Sequence, residues 1–398
     1  MQQIINPFYV YGISFLFTLF VYELGWSEFY PELSIDLVIF IISTIIISFL
    51  LGKILDFKVS KKEIMVIKFS KIVKCTLFIY LGFFIEFIVN GGVPLFLILS
   101  QSGFVYVDFG IPVFHVFLLT FATFYSLLVF QNYIIIKERR YLIIFFLLIF
   151  INILIFNRGN FVFTIMAIMV IFLRNQDSIK KITIIKFITG IIIGLFCFGL
   201  MGNYRSMTYS SNIDYKNASE MIFDLGQATS GFRDSFVPNE YFWSYIYISS
   251  SLANLQYTTD VYINANNDEN LDFEEIKNMI IIQFIPDFLS KRIIDFMGYM
   301  PKPACLIIDN FTLVTMYGRS YMYAGYIGLI LTFFYLILFL SIICMLLKKS
   351  DSYNVVIAIL TVVCAFAPFT NMLVFSGWIF QLVYIILLEN KIIRKYIM

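Results

Sequence analysis

Apolar runs approaching twenty residues recur along this chain. Runs of that length are what a helix needs to cross a hydrocarbon core of roughly 30 Å. Leu37–Leu51 reads LVIFIISTIIISFLL. It lacks the period-two alternation of a lipid-facing barrel strand. In lipid each backbone amide must be satisfied within its own segment, so such runs fold as helices. Composition agrees, with 60% of residues apolar and 14% charged, against roughly 45–50% and about 25% in soluble domains. The fold class read from the sequence is all-α, a polytopic helical membrane protein.

Ten spans are predicted, at about 7–23, 36–52, 75–90, 113–136, 141–156, 161–174, 182–202, 321–347, 354–370 and 372–389. An even number puts both termini on one side, which basic residues mark as cytoplasmic. On this layout 19 of the 28 Lys and Arg residues lie inside, and 19 of the 26 Asp and Glu residues lie outside. The first residues have no basic n-region or small-residue cleavage site, so the first span is expected to be retained.

Three regions follow: a membrane region of seven spans over 1–202, a large outer loop over 203–320, and three spans over 321–398. The loop carries 8 basic and 14 acidic residues. Its stretch Tyr241–Thr259 is uncharged, but its Ser, Asn and Gln content is high for a span. An interfacial or re-entrant helix is predicted there, with Trp243 and the tyrosines at headgroup level. The loop is thus expected to hug the membrane as a cap.

The candidate chemistry gathers on the outer side. Arg158 sits in Asn157-Arg158-Gly159-Asn160, between two short apolar runs. Either the following helix continues past Arg174, whose side chain then snorkels, or the turn lies below the outer surface. In the second case a partly desolvated guanidinium calls for an anion, and its planar fork matches phosphate oxygens. Arg205 follows the seventh span and Arg319 precedes the eighth, both on the cation-poor side; headgroup anchoring is the alternative for each. Arg233 is a further cation that Asp234 or Asp224 could equally pair, and Lys291–Arg292 read as a solvated face.

Glu86 is the one carboxylate inside an apolar run. An intramembrane acid is a candidate general base, or structural partner to one of the arginines. His115, the only histidine, stands just after Pro112 at the outer end of the fourth span. It reads either as a base near neutral pH or as a histidine bonded to a neighbouring helix. Tyr204 and Trp243 could stack on sugar faces or belong to an interface belt. The five cysteines have no metal spacing, and no Walker loop, GxSxG or HExxH occurs. No metal, cofactor or nucleic-acid partner is therefore expected, and an ATP-driven pump is disfavoured.

The layout resembles the Wzy-type O-antigen, or oligosaccharide repeat-unit, polymerases of bacterial envelopes. The features that carry the resemblance are Gly91-Gly92-Val93-Pro94-Leu95-Phe96, Phe109-Gly110-Ile111-Pro112-Val113-Phe114-His115, Asn157-Arg158-Gly159-Asn160, Asn203-Tyr204-Arg205 and Gly318-Arg319 leading into Tyr323-Ala324-Gly325-Tyr326-Ile327-Gly328. The family's pattern of an arginine followed eleven positions later by glycine is not met, since Lys216 follows Arg205 and Ser244 follows Arg233 at that distance.

The resemblance implies a GT-C-like membrane glycosyltransferase of the inner membrane, with cytoplasmic termini and a periplasmic loop. Its substrates would be undecaprenyl-diphosphate-linked oligosaccharides, its partners membrane lipid, a flippase and a chain-length regulator. On that reading Arg158 and Arg205 clamp the diphosphate, Arg233 and Arg319 support them, and Glu86 or His115 is the base where one is needed. A lipid-linked oligosaccharide flippase and an O-antigen ligase-like transferase are the rival expectations.

Overall fold

The computed structural model describes residues 2–58, 66–100, 104, 109–178, 180–209, 215–265 and 273–388. Every regular element among them is helical; extended pairing is confined to isolated bridges, Ser27 with Ala228 and Thr315 with Thr370. The first eight helices are α1 (Pro7–Tyr22), α2 (Ile35–Ile54), α3 (Phe69–Val89), α4 (Pro94–Leu99), α5 (Phe114–Ile136), α6 (Arg139–Leu154), α7 (Arg158–Arg174) and α8 (Lys181–Tyr209). There follow α9 (Tyr215–Leu225), α10 (Ser230–Arg233), α11 (Tyr241–Ala265), α12 (Phe273–Phe284) and α13 (Asp287–Met297). The last four are α14 (Gly318–Leu346), α15 (Tyr353–Ala365), α16 (Ser376–Ile379) and α17 (Gln381–Leu388).

Each of the ten predicted spans contains helix. Five stretches are long and apolar enough to cross a membrane: Ile35–Ile54, Phe69–Leu99, Phe114–Ile136, Lys181–Tyr204 and Gly318–Leu346. Pro7–Tyr22, Tyr353–Ala365 and Ser376–Leu388 are shorter apolar helices. Large apolar side chains on α2, α3 and α8 point outward, as lipid-facing surfaces do. The interior is built on α15, all of whose residues are buried, with α1, α5, α7 and α14 around it. At its outer end α15 stops at Ala365, and the chain continues non-helically. That backbone is satisfied inside the protein: the N–H groups of Val314 and Met316 donate to the carbonyls of Phe369 (3.3 Å) and Ala367 (2.9 Å), the condition for irregular backbone at membrane depth.

Two sequence expectations change. The Tyr241–Thr259 stretch is predicted as an interfacial or re-entrant helix with Trp243 and the tyrosines at headgroup level, yet α11 is buried by protein along most of its length, packed among α1, α8 and α14. Its polarity is spent inward. Asn254 Nδ2 donates to the carbonyls of Phe311 and Leu313, its Oδ1 accepts from the Ile307 N–H at 2.8 Å, and Gln256 Oε1 accepts from the Ser34 N–H at 2.8 Å. Composition signals that these side chains need partners, but not whether water, headgroups or protein will supply them.

The second concerns the eighth span. α14 is broken at Ala324–Gly325, where Gly325 has φ 51° and ψ −139°, a conformation open to glycine. The short first segment folds back on the second: a Cβ on Gly328 would lie 2.2 Å from the Ser320 carbonyl, and Thr332 Oγ1 donates to Ser320 Oγ at 2.7 Å. Continuous helix begins only after the break.

Candidate functional site

The Arg158 turn lies in a recess, and helix lengths explain why. α5 has 23 residues and α6 has 16. Both start from the Lys137–Glu138 turn, so α6 ends about 10 Å short of the outer end of α5 at ~1.5 Å per residue. A side-chain contact confirms the depth. Asn160 Nδ2 donates to Thr123 Oγ1 at 2.8 Å, and Thr123 lies about 12 Å down α5 from His115. α7 ends at Arg174 rather than running past it, which removes the snorkelling alternative.

The turn is built by its own asparagines. Phe156 takes φ 57°, and the Asn157 N–H closes on the Asn152 carbonyl at 2.8 Å. Asn157 Oδ1 caps α7 by accepting from the Asn160 N–H at 3.0 Å, while Asn160 Nδ2 also reaches Asn152 Oδ1 at 2.7 Å. Arg158, the first residue of α7, is left exposed, its guanidinium 5.1 Å from the Phe156 ring centroid. No acidic side chain among the described residues pairs with it. A cation at a helix N-terminus opposes the dipole. An exposed guanidinium there, with no carboxylate among the described residues to answer it, favours an anion beside it.

Two candidates from distant parts of the chain meet beside this recess. Glu86, fully buried on α3, pairs through Oε2 with His115 Nδ1 at 2.9 Å. Its Oε1 accepts the Ile111 N–H at 3.2 Å. The partner of Glu86 is thus the histidine, not an arginine. α3 and α4 both pack on α6, as α5 does.

The remaining candidates divide. Arg319 is exposed near the start of α14 and has no acidic partner among the described residues. Arg319 and Arg158 both neighbour the segment after α15: the 314–316 strip pairs with 367–369, and Phe163 of α7 packs edge-on to Phe366 at 4.7 Å. Arg233, read as a substrate cation, is spoken for. It reaches Glu220 and Asp224 at 3.1 Å each and the Ala228 carbonyl at 3.1 Å. Trp243 cannot stack on a sugar: it is buried, its Nε1–H donates to Asn203 Oδ1 at 2.7 Å, and it packs over Gly202. Tyr204 is exposed on α8. The Arg205 side chain lies outside the described residues.

Lys291 and Arg292, read as a solvated face, are both exposed on α13. Arg292 stands over the Phe288 ring at 4.1 Å, donating to the Phe288 carbonyl, and Phe288 packs edge-on to Phe117 of α5 at 5.6 Å. This brings the start of α13 to the His115 end of α5. No group of three His, Cys, Asp or Glu side chains among the described residues is placed to hold a metal ion. No family model, curated protein or solved structure matches this chain.

Proposed function

We propose that this chain is a membrane glycosyltransferase that polymerises undecaprenyl-diphosphate-linked oligosaccharide repeat units, in the manner of the Wzy-type enzymes it resembles. In this reading ten spans place both termini in the cytoplasm, and the site opens to the periplasmic face of the inner membrane. A hydroxyl of one lipid-linked unit attacks the anomeric carbon of another, and the lipid diphosphate departs. The observation that carries the proposal is Arg158: an arginine without an acidic partner among the described residues, at the N-terminus of a 17-residue helix, in a recess within an apolar bundle. Charge growing on a leaving diphosphate is what a preorganised guanidinium at a low-dielectric boundary stabilises. Arg319 is the supporting cation.

The test is complementation of a strain lacking its own repeat-unit polymerase but holding the matching lipid-linked unit. Wild-type protein is expected to restore a ladder of chain lengths. Arg158→Ala is expected to abolish the ladder at unchanged protein level, leaving single-unit caps. Wild-type chain lengths from Arg158→Ala would remove it from the site. Loss of even the single-unit caps in a deletion of the native gene would indicate a ligase, and substrate stalled on the cytoplasmic side a flippase.

A further inference from the structure

We infer that Glu86 and His115 form an oriented carboxylate–imidazole pair whose Nε2 is the general base for the attacking hydroxyl. The inference rests on the transferase reading above. A buried carboxylate offers only acceptors, so His115 Nδ1 at 2.9 Å carries the proton and Nε2 the lone pair. Three further contacts hold the ring in one orientation. Glu86 is anchored by the Ile111 N–H. Phe83 and Phe109 meet the imidazole edge-on at 6.3 and 5.4 Å. Gly110, at φ 114°, makes room for it: a Cβ there would stand 2.5 Å from His115 Cγ.

A latch tying the segment before α5 to α3 needs none of this control over tautomer. The His115 side chain keeps 20% exposure, and its Nε2 has no hydrogen-bond partner among the described residues. The charged group in contact with the ring is Glu86 from α3; residues 109–113 add none. In the step, Nε2 takes the hydroxyl proton as that oxygen bonds to the anomeric carbon. The bond from that carbon to the diphosphate oxygen breaks, and its electron pair leaves with the lipid diphosphate beside Arg158. His115 is the catalytic residue and Glu86 a positioning residue.

Because His115 is the only histidine, ¹⁵N-histidine labelling of the full chain, purified without a polyhistidine tag, reads this imidazole alone. The expected spectrum is the Nδ1–H tautomer at neutral pH, with the Nε2–H form appearing beside it in Glu86→Gln, whose amide can donate as well as accept. An Nε2–H tautomer in the wild-type chain, or a tautomer ratio that Glu86→Gln leaves unchanged, overturns the pair whatever reaction the protein performs. His115→Asn keeps a donor at the Nδ1 position and deletes Nε2. It should fold with an unchanged melting midpoint and lose polymerisation by at least ~100-fold, the scale of general-base catalysis. In the same assay Glu86→Gln should lose less. Wild-type rates from a folded His115→Asn would make the pair a latch and overturn the inference. Absence of polymerisation by the wild-type chain would instead remove the transferase reading, while the tautomer measurement would still judge the pair.

Discussion

Arg174 shows how much a single residue can decide. It ends α7 and is 1% exposed. No carboxylate among the described residues answers it. Nε donates to Asn354 Oδ1 at 3.0 Å, Nη1 to the carbonyls of Gln2 (2.5 Å) and Ile5 (2.6 Å), and Nη2 to the Phe57 carbonyl at 2.7 Å. One planar fork thus ties the chain before α1, the end of the α2 connection and α15 to the foot of α7. Replacing it orphans several buried acceptors at about 1–3 kcal/mol each. Arg174→Met is expected to lower the melting midpoint sharply in detergent, and Arg174→Lys to recover only part of it, because an ammonium cannot span that fork. Arg233 is the contrast. Its ion pairs are more than a third exposed, so Arg233→Ala should cost under ~1 kcal/mol. It should leave a polymer ladder intact where Arg158→Ala does not.

At the scale of elements, what matters is where helices stop. α6 is short, so Arg158 is recessed; α14 breaks, so Ser320 folds back onto Gly328 and Thr332. The break needs the positive φ of Gly325, which an L side chain adopts only under strain. Gly325→Ala is therefore expected to destabilise the protein by roughly 1–3 kcal/mol. It should also shift the solvent reactivity of a cysteine placed at Arg319, measured in a variant lacking the native cysteines. Unchanged melting and labelling would show that the fold-back tolerates an ordinary residue. α8 is a different case. It touches the rest chiefly through α9 and α11, with Gly199 and Gly202 admitting the Glu240 carbonyl and the Trp243 ring.

At the scale of the molecule, the proposal depends on sidedness. Cysteines placed at Arg158 and Arg319 should react with a membrane-impermeant thiol reagent added from the periplasmic side, and one placed at Lys349 should not. Labelling of 158 or 319 only after the membrane is breached would end the diphosphate-docking argument. Much of this frame was legible in the chain: helix lies in each predicted span, and the Asn157–Asn160 turn stands where its residues placed it. Less of the site was. Glu86 and His115 were singled out separately, and nothing local to either marks the other as its partner 29 positions away. Arg233 and Trp243 carried the right chemistry for a substrate, yet packing spent both on the protein itself. The sequence by itself determined that the chain is helical, apolar and cut into these segments, because in an apolar run backbone hydrogen bonds must close within the segment. Only the tertiary structure decided which buried polar groups meet and which cations stay open, because those pairings depend on helix depth and facing across hundreds of residues, and no local pattern encodes either.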